Sequence, residues 1–376
     1  MQPDRVPLVD LRAQYEAHQD EFDAAVQGCL ARSSFVGGPD HEAFRKSFAA
    51  WCGGGDVALV GNGTDAITLA LVELLRQGDG SGEIVTTSHT FIATTEAIAQ
   101  AGYRPLFVDI DPHTYLMDLD RVEAAIGPNT KAIVPVHLYG QMLDMRRLRA
   151  IADRHKLVVV EDAAQAHGAR FDGAGPGMLG HAATFSFYPG KNLGCWGDGG
   201  AVFSRDAALI RRIEMRANHG RMEKYLHQFE GVNSRLDGLQ AAVLAVKLRH
   251  IDAWTKARRQ VAAWYDELLA GDNRVRRPHV DPRAEHVFHL YVVEVAHRDA
   301  VLQELNRNGI GAGIHYPVPL HMQPALSHLG YAPEDLPLTR KAADRILSLP
   351  IYPELTRRQA ERVARALLDA VGAARP

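Results

Sequence analysis

The sequence predicts an α/β protein: a large unit on a mostly parallel sheet over residues 1–250, including an N-terminal arm, and a smaller α+β unit over residues 251–376. Three observations carry this. Strand-like and helix-like stretches alternate from residue 56 to residue 160, the rhythm of parallel strands joined by covering helices. Residues 157–160, LVVV, are continuously apolar, as in a strand buried on both faces. From about residue 251 the chain becomes richer in arginine, and an alternating strand, HVFHLYVVEV, replaces the earlier rhythm. At 376 residues the chain can bury a large core and hold two domains.

The first fifty residues read as an arm and two helices. DLRAQYEAHQDEFDAAVQGCLA has apolar residues at helical spacing, FVGGP (35–39) breaks it, and HEAFRKSFAAWCG closes at the glycines 53–55. A strand at 56–60 runs into GNGTDAITLALVELL, a glycine-rich turn and a helix opening at Thr64–Asp65. Exposed N–H groups and the helix dipole make such a turn an anion site; a plain helix cap has the same letters. Gly61, Gly63 and Ala66 also match the loose form of a dinucleotide fingerprint. Next come a strand at 83–87 and a helix at 94–101. His89 or Phe91 lies in the turn between them, where an aromatic ring stacks on a flat cofactor or simply fills the core. RPLFVDID reads as strand, DLDRVEAAI as helix, KAIVPVHLYGQ as strand and loop, and MRRLRAIADRH as helix. His137, Tyr139 and Gln141 follow the strand 132–136, on the expected substrate side.

Two stretches then carry the chemistry. In LVVVEDAAQAHGA (157–169), Asp162 stands at the carboxyl end of a buried strand, where open α/β sheets bind ligands; a helix N-cap is the other use of an aspartate there. In FSFYPGKNLGCWGDGGAV (185–202), Lys191 is the only lysine, in a glycine-rich loop between two apolar runs. It suits a reactive amine at a cleft floor, or a solvated hairpin lysine. A Walker A loop is excluded, because Phe185 occupies the position of its first glycine. An acid with a lysine about thirty residues on is the pair that pyridoxal phosphate uses, lysine for its aldehyde and acid for its ring nitrogen.

After a helix at 206–217, GVNSR (231–235) leads into a long helix reaching about residue 270, with Asn233 and Asp237 as rival caps. The second unit continues with the helix AVLQELNRNG and the Gly/Pro-rich GIGAGIHYPVPLHMQPAL, and ends on an amphipathic helix. His315, Tyr316 and His321 cluster in its irregular part, either touching a sugar or its diphosphate or holding the loop.

Composition narrows the classes. Net charge is −3, which gives no global attraction to nucleic acid or anionic membrane. Three cysteines without a CxxC pair form no disulfide framework and fit a reducing cytoplasm. The amino terminus lacks a signal pattern, and no apolar run nears the ~20 residues of a membrane span. Neither HExxH nor a Cys/His metal spacing appears, nor a G-x-S-x-G elbow.

VEDAAQAHGA followed by FSFYPGKNLG and GDGGAV resembles the DegT/StrS group of nucleotide-sugar aminotransferases, which have the aspartate-aminotransferase fold. The likeness runs from VPLVDLRAQY to the final helix. It implies the type I fold of pyridoxal-phosphate enzymes, with that cofactor joined to Lys191 and its ring nitrogen held by Asp162. It further implies the phosphate on Gly63, Thr64, Ser186 and the partner subunit's Asn233, Phe91 over the ring, and Gln165, on the same helical face as Asp162, bonding the phenolic or a phosphate oxygen. A homodimer with shared sites, an amino-acid donor such as L-glutamate, and amination of C3 of a dTDP- or UDP-linked keto sugar belong to the same expectation. Members acting at C4 more often carry histidine where Gln165 stands. Cys195–Trp196 departs from the small residues usual after the lysine loop, a change at the pocket wall. Three rivals are a deoxysugar dehydratase, which has histidine in place of the lysine, a non-catalytic regulatory homologue, and a nicotinamide dehydrogenase.

Overall fold

The structure, a computed structural model, describes residues 5–78 and 80–374. The single helix expected over residues 10–31 is two, α1 (Leu11–Ala17) and α2 (Gln19–Arg32). Asp10 caps the first through the Ala13 amide, and His18 leaves helical φ at −135° to start the second. Helix α3 (Pro39–Trp51) and strand β1 (Asp56–Val60) lead into α4 (Gly63–Leu74). The alternation follows as read: β2 (Glu83–Thr87), α5 (Ala93–Gln100), β3 (Arg104–Val108), α6 (Leu119–Ala125), β4 (Thr130–Ile133), α7 (Met145–Arg154) and β5 (Val158–Asp162). A short strand β6 (Arg170–Phe171) precedes β7 (Ala182–Ser186) and β8 (Gly200–Ser204).

The main sheet has the order β1-β8-β7-β5-β4-β2-β3. Only β8 runs against the others, pairing antiparallel with β1 and β7. Both faces are covered. Along β5, Val159 enters one core and Val160 the other, and Ile84 and Val85 of β2 divide the same way. That double burial is why residues 157–160 are continuously apolar rather than alternating.

Helix α8 (Ala207–Ala217) and a hairpin of β9 (Arg221–Glu223) and β10 (Leu226–His227) precede the 31-residue α9 (Gly238–Leu268). Strands β11 (Val275–Arg276) and β12 (Ala284–Glu285) follow, the latter pairing with β6. Then come β13 (Tyr291–Val295), α10 (Arg298–Arg307), α11 (Pro337–Ala343), β14 (Ile346–Leu349) and α12 (Arg357–Ala373). The second sheet, β11-β13-β14, packs on α10 and α12 in a core of its own. The border expected at residue 251 falls inside α9: Leu244 and Ile251 belong to the first core, Val261 and Tyr265 to the second. Val6 of the arm also packs in the second core, beside Ile310, its bridge partner. Among the described residues, no helix is long and apolar enough to cross a membrane.

Candidate active site

A cavity of about 530 Å³ opens at the carboxyl ends of β5 and β7. Its walls include Gly63, Thr64, Phe91, Asp162, Gln165, Ser186 and Lys191 from the large unit and His315 and Tyr316 from the small one. All nine of these were singled out in the sequence, and they meet in one place.

Lys191 is carried between β7 and β8, whose register pairs Ser186 with Gly200 and holds the loop at both ends. The loop is drawn tight by the Lys191 amide bonding Tyr188 O (2.9 Å) and the Cys195 amide bonding Phe187 O (2.8 Å). Burial lowers the Lys191 pKa to about 8, against an opposing pull from Asp162. Asp162 ends β5 and is 6% exposed. Its Oδ2 accepts from Thr94 Oγ1 (2.8 Å) and its Oδ1 from the Ala164 amide (3.1 Å). No helix follows: residues 163–169 are turns. Asp162 is thus not a helix cap, and Gln165 shares no helical face with it. Gln165 reaches the cavity because its Oε1 accepts from the Tyr139 amide (2.7 Å) and its Nε2 donates to Tyr316 Oη (3.2 Å).

The turn before α4 has the geometry of an anion cradle. Asn62 caps the Asp65 amide (2.8 Å), which leaves the Gly63 and Thr64 amides as first-turn donors without an intrahelical acceptor, on residues that line the cavity. The backbones approach so closely here that a Cβ on Gly63 would lie 2.7 Å from Ser186 Cβ, and one on Gly200 2.3 Å from Asn62 O. These glycines bring Ser186 against the helix start. Phe91 is half exposed and its ring stands 5.6 Å from that of Tyr316.

Other expected residues lie elsewhere. His321 is buried outside the cavity, where its Nδ1 and Ser88 Oγ are 2.8 Å apart, anchoring the turn at residues 320–322 to the end of β2. His89 is buried against Tyr139 Oη (2.8 Å). His137, Tyr139 and Gln141 form a layer beneath the cavity instead of its wall. His137 bonds Glu161, Tyr139 Oη bonds His315 O, and Gln141 holds the 279–281 loop. Cys195 is buried among backbone carbonyls, and Trp196 packs on Tyr15 and Phe22, so neither forms the cavity wall within this chain. Asn233 is exposed, next to Ser234, which ties Gly61 and Asp65 to its own segment.

Glu161 supports the site from below. Its carboxylate takes His137 (2.8 Å) and the amides of Gly177 and Gly180, all buried or nearly so. Glu161→Ala strands these donors, and a loss of about 3–5 kcal/mol is expected in urea unfolding. A change below about 1 kcal/mol would show that the layer bears no load.

Sequence reading missed Leu8, Val9, His289 and Arg258, which also stand on the lining. Arg258 had a signal. Ile251, Trp254, Thr255, Val261, Ala262 and Tyr265 form the buried stripe of α9, and Arg258 falls on that stripe at helical spacing. A charge in a core stripe needs a partner or a ligand.

The family model described as the DegT/DnrJ/EryC1/StrS aminotransferase family matches residues 16–368. A dTDP-3-amino-3,4,6-trideoxy-alpha-D-glucose transaminase of Streptomyces venezuelae is 46% identical, over 97% of this chain and 96% of its own. A protein of Geobacillus stearothermophilus named a pleiotropic regulatory protein is 45% identical, over 97% and 98%. Among solved structures, S. venezuelae DesV in complex with a ketimine intermediate superposes with a TM-score of 0.95 at 44% identity, covering 99% of this chain and 100% of that one.

Proposed function

This chain belongs to the DegT/DnrJ/EryC1/StrS aminotransferase family, and from that premise we propose that it transfers an amino group from an amino acid, L-glutamate in the simplest case, to C3 of a dTDP- or UDP-linked keto sugar. The observation that supports this most directly is a lysine of lowered pKa and a strand-end carboxylate on the walls of one cavity, beside an open helix N-terminus.

The residues fit pyridoxal 5'-phosphate. The cradle of Gly63, Thr64 and Ser186 suits its phosphate, Asp162 its ring nitrogen, Phe91 its ring face, and Lys191 its aldehyde. Gln165 stands where it could bond a ring substituent. Bound there, the cofactor supplies an electron sink for the carbanion formed at the substrate carbon. Lys191 Nζ, which stands on the cavity wall, would take the proton from the donor Cα and give one to the sugar carbon in the second half of the cycle. The Asp162 carboxylate would hold a protonated ring nitrogen opposite its oxygens, and Thr94 and the Ala164 amide fix its orientation. His315 and Tyr316 form the face where the sugar would lie. The regulatory name of one relative does not displace this reading, because Lys191 and Asp162 are both present and line the same cavity. The test is to incubate the protein with glutamate and a panel of dTDP- and UDP-linked keto sugars and to detect amino sugars by mass. Consumption of none of them, with the cofactor bound, would sink the proposal.

The working unit in this reading is a homodimer, since Asn233 is exposed and is not among the residues lining its own chain's cavity, which leaves it available to a second copy. Two-fold symmetry makes the loan reciprocal. Mixing inactive Lys191→Ala subunits with inactive Asn233→Ala subunits is expected to restore activity, because each mixed dimer then has one intact site. No gain on mixing would place Asn233 with its own chain.

A further inference from the structure

Arg258 is the one arginine lining the cavity and is 5% exposed. We propose that it binds the side-chain carboxylate of the amino donor and so selects an acidic amino acid; this rests on the aminotransferase reading above.

A guanidinium has five N–H donors. In Arg258 the two on Nη1 are used, on Phe288 O (3.2 Å) and Ile351 O (3.0 Å). These bonds clasp the arginine to both segments that border the cavity and leave Nε and Nη2 as donors. No carboxylate pairs with it within 4 Å among the described residues; Glu354 acts on it only at longer range. Burial holds its pKa down to about 10, so it is still charged at neutral pH, with only the more distant Glu354 to offset it. Lys191 is the other cationic side chain on the cavity wall, and in the aminotransferase reading its amine would be taken up by the cofactor's aldehyde.

The two cations are separated by a short bridge. Arg258 holds Phe288 O; the next residue, His289, meets Asn192 Oδ1 at 3.2 Å; and Asn192 adjoins Lys191. His289 is kept neutral by burial and by both cations, so it adds no charge between them. In this assignment the carboxylate on the carbon bearing the donor's amino group lies on the Lys191 side of the cavity, and the one two methylenes farther along is the one that Arg258 takes. Leu8, Leu290 and Ile351 give that end of the cavity apolar sides, which suit methylenes. The competing anion is the diphosphate of the nucleotide sugar. It is larger and doubly charged, and suits the open mouth near Phe91 better than a clasped, nearly closed-off arginine.

Glutamine tests the idea because it matches glutamate in shape and lacks the charge. For the cofactor-loaded protein, kcat/KM with glutamate is expected to exceed that with glutamine by about 10–100-fold, the value of one charge-assisted bond pair. Arg258→Gln is expected to bring the ratio to within about threefold while the keto-sugar KM stays within about threefold. Arg258→Lys keeps part of the preference. Calorimetry with glutarate, an unreactive dicarboxylate, is expected to show binding to the parent protein and its loss in Arg258→Gln. The proposal is overturned if the parent uses glutamine as readily as glutamate, if the ratio survives in Arg258→Gln, or if that variant instead raises the keto-sugar KM. Should Arg258→Gln fail to fold, the parent's donor ratio and glutarate binding still decide. If no donor aminates any sugar, the aminotransferase reading fails, while glutarate binding continues to judge Arg258.

Discussion

Lys191→Ala is expected to abolish amino transfer, by at least about 10³-fold, since both the covalent attachment and the proton carrier are lost. The fold should survive. The loop is held by backbone bonds at residues 187, 188, 191 and 195, and no side-chain hydrogen bond from Lys191 is present among the described residues. Arginine in its place should fail as well, because a guanidinium stays protonated and is no base. The lowered pKa adds a pH signature. The neutral amine is the attacking form, and a pKa of about 8 leaves about a fifth of it neutral near pH 7.4, against about one part in a thousand for an ordinary lysine. Cofactor uptake by the empty protein should therefore quicken as pH rises through about 8 and level off above it. Near-normal turnover in Lys191→Ala, with no added amine, would remove Lys191 from the mechanism; a midpoint near 10 would show that its burial has no kinetic effect.

The second large effect is expected from Asp162→Asn, a loss of about 10²-fold or more in kcat with the cofactor still bound. The amide keeps nearly the same shape. Its oxygen can still accept from Thr94 or the Ala164 amide, so β5 and the turn after it are undisturbed. What disappears is the negative charge, and with it the preference for a protonated ring nitrogen opposite. Single-turnover rates with glutamate separate this from a binding defect. A rate within about fivefold of the parent would mean that the charge of Asp162 is not used. Asp162→Glu is a weaker test, because the longer chain can still reach.

Much of the site was legible because its signals are short in sequence. The Asp162 strand, the Lys191 loop and the Gly63–Thr64 turn each lie within one local stretch, and β5, β7 and α4 place them at the same sheet end. Misreadings arose where local letters were outweighed by distant partners. Residues 163–169 have helix-forming alanines, yet Gly168 takes a φ of +81° and Gln165 is claimed by Tyr139, so the segment turns. His137 and Gln141 follow a strand as ligand residues do, but Glu161 and the 279–281 loop take their polar groups. Val6, Leu8 and Val9 gave no local sign of joining the second core or the cavity, since the bridge to Ile310 spans most of the chain. The β9–β10 hairpin is short and exposed, with no alternating pattern to announce it.

Helix α9 has a mechanical consequence. Its 31 residues make a shaft of about 46 Å at 1.5 Å per residue, embedded in one core by Leu244 and Ile251 and in the other by Val261 and Tyr265. No proline or glycine interrupts it after Gly238, so it offers no natural hinge between the two units. Swinging one unit against the other would bend a continuous helix and pull apart two packed interiors. Substrate exchange is then expected at the periphery, past exposed rings such as Phe91 and Tyr188, with little change in the angle between the units.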